Sequence, residues 1–206
     1  MAEMLIPSYI DRLDSLGVIS ETNKKPIFRE RWVMPIRGEN GLVQNLVGYS
    51  PHFDERYIYG TSRYYRRRST LYGLENLNLA YEMGYAFLTE GITDTIRLRD
   101  LGFKNSFAMC GTHTSQYVIN QLNRCRNGVI LIPDRDKAGI NAHKAWNFKR
   151  SVTIFINFQF KDIDSMCKGS KENQELFLEY AQACINYILS EEHNGKQYSK
   201  ESVTIL

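Results

Sequence analysis

The chain has 206 residues, and 26 Lys and Arg against 23 Asp and Glu leave a net charge of only +3, so it is not a polycation that binds anions through bulk charge. Hydrophobic residues make up 43%, enough for one ordinary packed domain or a domain with a small appendage. No stretch approaches the ~20 apolar residues of a membrane span and no basic-then-apolar leader opens the chain, so a cytoplasmic protein with no membrane partner is expected.

Apolar spacing at Leu5, Ile6, Ile10, Leu13 and Leu16 predicts a helix over 4–17, stopped by Gly17. Trp32–Arg37 and Leu42–Tyr49 flank an Asn-Gly turn and predict a β-hairpin, with Pro35 marking an edge strand or a bulge. Arg56 to Arg68 holds five arginines, four tyrosines and no acid. Arginine forks match phosphate oxygens and tyrosine faces stack on bases, so this stretch is a candidate nucleic-acid contact, although a solvated hairpin would read the same way. A helix is expected from Glu75 to Met83, ended by Gly84.

From Tyr85 short strands alternate with helices: strands at 85–88, 106–109, 129–132 and 152–158, helices at 94–101, 115–125, 137–149 and 172–189. This alternation implies βαβ units and a parallel sheet with right-handed connections. Residues 190–206 read as a polar, mobile tail. Cys110, Cys125, Cys167 and Cys184 lack CxxC spacing and the histidines form no HExxH, so the thiols are expected reduced and zinc is not expected.

Three acidic clusters follow apolar runs: Glu90 with Asp94, Asp134 with Asp136, and Asp162 with Asp164. Open α/β sheets place ligands at the carboxyl ends of their strands. Carboxylates gathered there repel one another unless a cation intervenes, and a hard, oxygen-ligated ion such as Mg2+ (or Mn2+) is the natural partner. The clusters therefore read as a metal-dependent phosphoryl-transfer site. Each also has a plainer reading: Asp94 compensates a helix N-terminus, Asp134 and Asp136 sit in a solvated turn, and Asp162 and Asp164 belong to a helix-capping loop.

Taken together, Glu90-Gly91-Ile92-Thr93-Asp94, Gly111-Thr112, Asp134-Arg135-Asp136-Lys137-Ala138-Gly139 and Asp162-Ile163-Asp164 resemble, in order and spacing, the Toprim domain of bacterial DnaG-type primases. Met34-Pro35-Ile36-Arg37 and Leu71-Tyr72-Gly73-Leu74 resemble upstream elements of the same catalytic core. The resemblance implies an α/β fold: a Toprim-type parallel sheet flanked by helices (85–168), preceded by a small basic α+β subdomain (1–84) and followed by a helix and tail (169–206). It implies synthesis of short RNA primers from ribonucleoside triphosphates on a single-stranded DNA template, with a replicative helicase as a further partner. In these terms Glu90 is the catalytic acid, Asp134 and Asp136 are the main metal ligands, and Asp94, Asp162 and Asp164 support a second ion or the phosphates. Arg135 and Lys137 would meet nucleotide phosphates, while Arg56, Tyr57, Arg63, Arg66, Arg67 and Arg68 would line the template path. The chain departs from the family pattern in lacking zinc-ribbon cysteines and a helicase-docking region, and in carrying Arg135 where Gly is frequent; a compact core of this kind suits a phage or mobile element acting in a bacterial cytoplasm. Two other functions fit the same acids: a Toprim metal-dependent nuclease, and a non-catalytic binding module in replication.

Overall fold

Five successive residues without a charged side chain cannot alternate between core and water, and Gly128–Ile132 is accordingly buried along its whole length inside a sheet. The computed structural model describes residues 17–20, 23, 25–60, 71–110, 116–136, 146–156 and 159–190, with the backbone of 201–204. The helix expected over 4–17, apart from Gly17, and most of that expected over 137–149 lie outside these residues. The chain divides into two compact units, Met1–Arg66 and Arg67–Leu206.

In the first unit, β1 (Trp32–Arg37), β2 (Val43–Tyr49) and β3 (Tyr57–Tyr59) form an antiparallel sheet in that order. Pro35 behaves as its chemistry requires: β1 is an edge strand, and its register slips between Ile36 and Arg37. β3 lies inside the Arg/Tyr stretch, so that segment begins as a strand. Asn45, buried beneath the sheet, donates from Nδ2 to the Gly60 carbonyl (3.2 Å) and ties β2 to the residue after β3.

In the second unit, β4 (Leu71–Tyr72), β5 (Tyr85–Thr89), β6 (Ser106–Met109), β7 (Gly128–Ile132), β8 (Ser151–Phe155) and β9 (Glu201–Thr204) form a sheet of order β4-β6-β5-β7-β8-β9. Among the described strands of this sheet, only β4 runs antiparallel to its neighbour. Side chains alternate across the sheet. Ala86, Leu88, Val129 and Leu131 pack under α1 (Leu77–Met83) and α3 (Gln116–Leu122), with Trp146 and Phe148. Tyr85, Phe87, Ile130, Ile132, Val152 and Ile154 pack on the other side, with α2 (Ile92–Asp100), α4 (Ile163–Cys167) and α5 (Lys171–Ser190). Gly84 (φ 80) closes α1 and turns the chain directly into β5, a left-handed conformation that Gly adopts at little cost. None of the four cysteines is in a disulfide, and all four are buried. No helix among the described residues is long and apolar enough to cross a membrane.

Several expected boundaries move. The sequence reading closed the first subdomain at residue 84, yet Leu71, Leu74, Leu77 and Ala80 are buried in the core of the second unit, because their apolar faces need the sheet to cover them. Nor does 169–206 stand apart: α5 packs Phe177, Ala181, Cys184 and Ile185 onto the sheet, and the segment read as a mobile tail supplies β9, paired in parallel with β8. The helix expected at 115–125 ends at Leu122 in a turn, and Trp146–Phe148, expected in a helix, is irregular chain leading into β8.

Phe87 is fully buried, with its ring 4.7 Å from that of Phe103. Phe87→Ala is expected to lower unfolding stability by about 3–5 kcal/mol, read as a reduced midpoint in urea denaturation.

Candidate active site

The acids are set in place by where their strands stop. β5 ends at Thr89, and Thr89 Oγ1 lies 2.8 Å from Thr95 Oγ1 and 2.9 Å from the Gly91 carbonyl, to which it donates. This hydroxyl pair pins the turn that carries Glu90 against the first turns of α2. A methyl group at Gly91 would run into the Asp94 carboxylate, which accounts for glycine there. β7, the neighbour of β5, ends at Ile132, and two residues later the Asp134 N–H donates to Glu90 Oε1 (3.2 Å). The first two acidic clusters are thus in direct contact, 44 residues apart in sequence.

The third cluster closes on the other two from the loop after β8. Lys161 Nζ lies 3.4 Å from both Asp134 Oδ2 and Asp136 Oδ2, so one ammonium bridges the pair. The Arg135 N–H donates to the Lys161 carbonyl (2.8 Å) and fixes this loop against the Asp134–Asp136 turn. Asp94, 5% exposed, accepts the Asp164 N–H at 3.1 Å. Asp164 is held by Arg97 through two donors, at 2.8 and 3.1 Å. Asp162 caps α4 in a reciprocal capping box with Ser165.

Electrostatics reports the crowding. Burial, reinforced by Asp134 and Asp136, pushes the Glu90 carboxyl up to about 7. Burial raises Asp134 to about 6, with Lys161 opposing and Asp162 and Asp136 adding to the rise. Asp94 is raised well above its ordinary value by burial, then by Asp162, Asp134 and Asp164. Burial alone would depress the Lys161 ammonium, but Asp134 and Asp136 outweigh it and its pKa is raised.

The expected site residues therefore separate into two groups. Asp134 and Asp136 meet around the Lys161 ammonium, and Glu90 abuts them through the Asp134 amide. Asp162 and Asp164, expected as metal ligands, already have structural work as a helix cap and as the partner of Arg97. Among the described residues no three acid, histidine or cysteine side chains are disposed to hold one ion as they stand. The donor set nonetheless fits a hard cation: oxygens only, excess negative charge, and an ammonium already seated between Asp134 and Asp136. Arg135 lays its guanidinium 5.6 Å from the Phe155 ring centre. Lys137 lies outside the described residues, as do Gly111, Thr112 and Gly139.

In the first unit, Arg56 is exposed and its carbonyl accepts Arg31 Nη1 at 2.9 Å. Tyr57 stands in β3 with its ring 4.9 Å from that of Tyr49, which lies 5.9 Å from Trp32, itself 69% exposed. Arg63, Arg66, Arg67 and Arg68 lie outside the described residues. Sequence reasoning missed Lys161, Arg97, Arg31 and Trp32. Only Lys161 carried a local signal, a cation directly preceding an Asp-x-Asp in a chain already rich in that spacing.

The neutral form of Glu90 favours the fold, because its pKa rises from 4.5 unfolded to about 7 folded. That contribution is complete below pH 4.5 and is lost as pH rises through 7. In EDTA, Glu90→Gln is expected to be about 1–2 kcal/mol more stable than the parent at pH 8 and equal to it near pH 4.5. Urea denaturation at the two pH values checks this.

With this geometry in hand, comparison with known proteins is specific. Residues 87–167 match the Toprim-like family. Similar curated proteins include the DNA primase of Thermotoga maritima, 26% identical over 165 residues, covering 79% of this chain and 28% of that protein. The DNA primase of Aquifex aeolicus is 32% identical over 139 residues, covering 65% of this chain and again 28% of its own length. The chain thus spans little more than a quarter of either relative. Its fold matches a DnaG primase catalytic domain solved bound to ssDNA, with a TM-score of 0.72 and 24% identity over 90% of this chain and 62% of that one. Residues 87–167 in the second unit match the Toprim-like family, and the chain is similar in sequence to bacterial DNA primases and in fold to the DnaG catalytic core.

Proposed function

We propose that the chain catalyses DNA-directed synthesis of short RNA primers from ribonucleoside triphosphates on single-stranded DNA. The observation that carries this reading is the contact of Glu90 with the Asp134 amide at adjoining strand ends, with Asp136 gathered to Asp134 by Lys161. Glu90, Asp134 and Asp136 would hold Mg2+ or Mn2+. When bound, the ion neutralises charge on the transferring phosphoryl group and its leaving pyrophosphate.

The chain's own residues supply the rest. Asp94 and Asp164 brace the site from α2 and α4. With the ion held by the carboxylates, Lys161 would release Asp134 and Asp136 and, like Arg135 and Lys137, would be available to a triphosphate. The template is held by Arg56 and Tyr57 with Arg63, Arg66, Arg67 and Arg68. The backbone contacts of such a segment are salt-sensitive and largely blind to base sequence. The DNA-bound state of a homologous catalytic domain supports a DNA template here.

Incubation with single-stranded DNA, labelled ribonucleotides and Mg2+ is expected to give short RNA. Shortened DNA would instead identify a nuclease, and neither product a binding module. Repeating the assay with and without a replicative helicase measures the contribution of that partner. Asp134→Asn is expected to reduce synthesis on the order of 100-fold or more while leaving DNA affinity unchanged in anisotropy.

Two half-exposed ion pairs are worth about 0.2–1 kcal/mol each. Removing their shared cation in Lys161→Met is therefore expected to tighten Mn2+ binding about 2- to 30-fold, read by calorimetry in the absence of nucleotide. Unchanged affinity would show that the ammonium does not compete for the ion.

A further inference from the structure

The acids occupy one end of the parallel sheet, and the other end is basic. At the amino ends of β7 and β8, a cavity of about 330 Å³ is lined by Asn123, Cys125, Arg126, Gly128, Lys149 and Arg150. We propose that this cavity is a second anion site that takes phosphate groups, either of a nucleic-acid backbone or of a free polyphosphate. It does not depend on the primase reading and shares no residue with the acidic site.

The cavity is built from two loops that are locked together. The Lys149 N–H donates to Asn123 Oδ1 (2.9 Å), and Arg150 Nη1 donates to the Arg126 carbonyl (2.8 Å). Gly128 (φ 124) enters β7 where a side chain would stand 2.6 Å from the Arg150 carbonyl, so only glycine lets the loops close this far. Arg126, Lys149 and Arg150 are exposed, whereas Cys125 is buried, with its thiol pushed up to about 12 by burial, and offers no nucleophile.

A plainer account is that these cations compensate helix ends. α1 and α3 both finish here, each contributing roughly half a negative charge, and Glu82 sits in the last turn of α1. Arg124 is also present, stacked 4.5 Å over the Tyr81 ring. Helix capping does not account for Lys149 and Arg150, which come from the separate segment that enters β8 and line the cavity with Arg126. Two guanidinium groups and an ammonium converging on a cavity of this size match phosphate oxygens better than any neutral ligand.

The test uses the full chain, 15N-labelled, in EDTA, titrated with sodium tripolyphosphate. Saturable shifts of the Gly128 and Lys149 amides are expected, with affinity about tenfold or more weaker in Arg126→Ala/Lys149→Ala. Arg150 is left intact because it holds the Arg126 carbonyl. Should the double variant lose its dispersed spectrum, Lys149→Ala alone repeats the measurement and is expected to weaken binding several-fold. A second arm measures anisotropy of labelled dT20 over a salt series. A slope smaller by about 1.4 in the double variant identifies a nucleic-acid backbone as the ligand, while an unchanged slope with weakened tripolyphosphate binding identifies a free polyphosphate. Absence of shifts at these amides, or equal tripolyphosphate affinity in parent and variants, overturns the proposal.

Discussion

Everything at the candidate active site follows from the cost of crowding carboxylates at the end of a buried sheet. β5 and β7 are wholly apolar except for Thr89 and stop at the same level, so the first polar residues past them meet. What meets is Glu90 and Asp134, and the fold tolerates the encounter through a backbone N–H, a lysine and partial protonation. A site organised in this way stores unfavourable charge that a divalent ion relieves. The same repulsion that makes the metal-free protein less stable at high pH is what gives the ion its hold.

Division of labour among the acids is equally physical. Asp94 is almost fully buried and could not remain ionised without help, yet it spends one oxygen on the Asp164 amide. Asp164 in turn takes both donors of Arg97. This chain of contacts couples α2 to α4, so the loop carrying Lys161 enters the site at a fixed depth. Asp162, as a cap, starts α4 there. The acids that do not face the cation position thereby hold in register those that do.

Much of this was legible in the sequence, for identifiable reasons. Val129–Ile132 and Tyr85–Leu88 are apolar on both faces, a pattern strong enough to locate central strands, and acids directly after them had to lie at a strand end. The twenty-residue α5 also announced itself through its apolar spacing. What stayed hidden depended on partners far apart in the chain. Arg97 and Asp164 are separated by 67 residues, and nothing local to either predicts the pair. β9 is a four-residue strand paired in parallel with β8, a backbone contribution that periodicity does not register. Asp134 and Asp136 lie beyond the end of β7, and Lys161, 25 residues or more away in sequence, draws the two carboxylates together.

The strand order has one more implication. Glu90 and Asp134 hang from the two innermost strands of the second unit, whereas β4 and β9 form its rims. Proteins open piecemeal, and marginal elements detach long before the interior gives way. Fraying that peels either rim from the sheet leaves the β5–β7 ladder, and with it the spacing of the paired carboxylates, untouched. The spacing of Glu90 and Asp134 is thus insulated from breathing at the periphery.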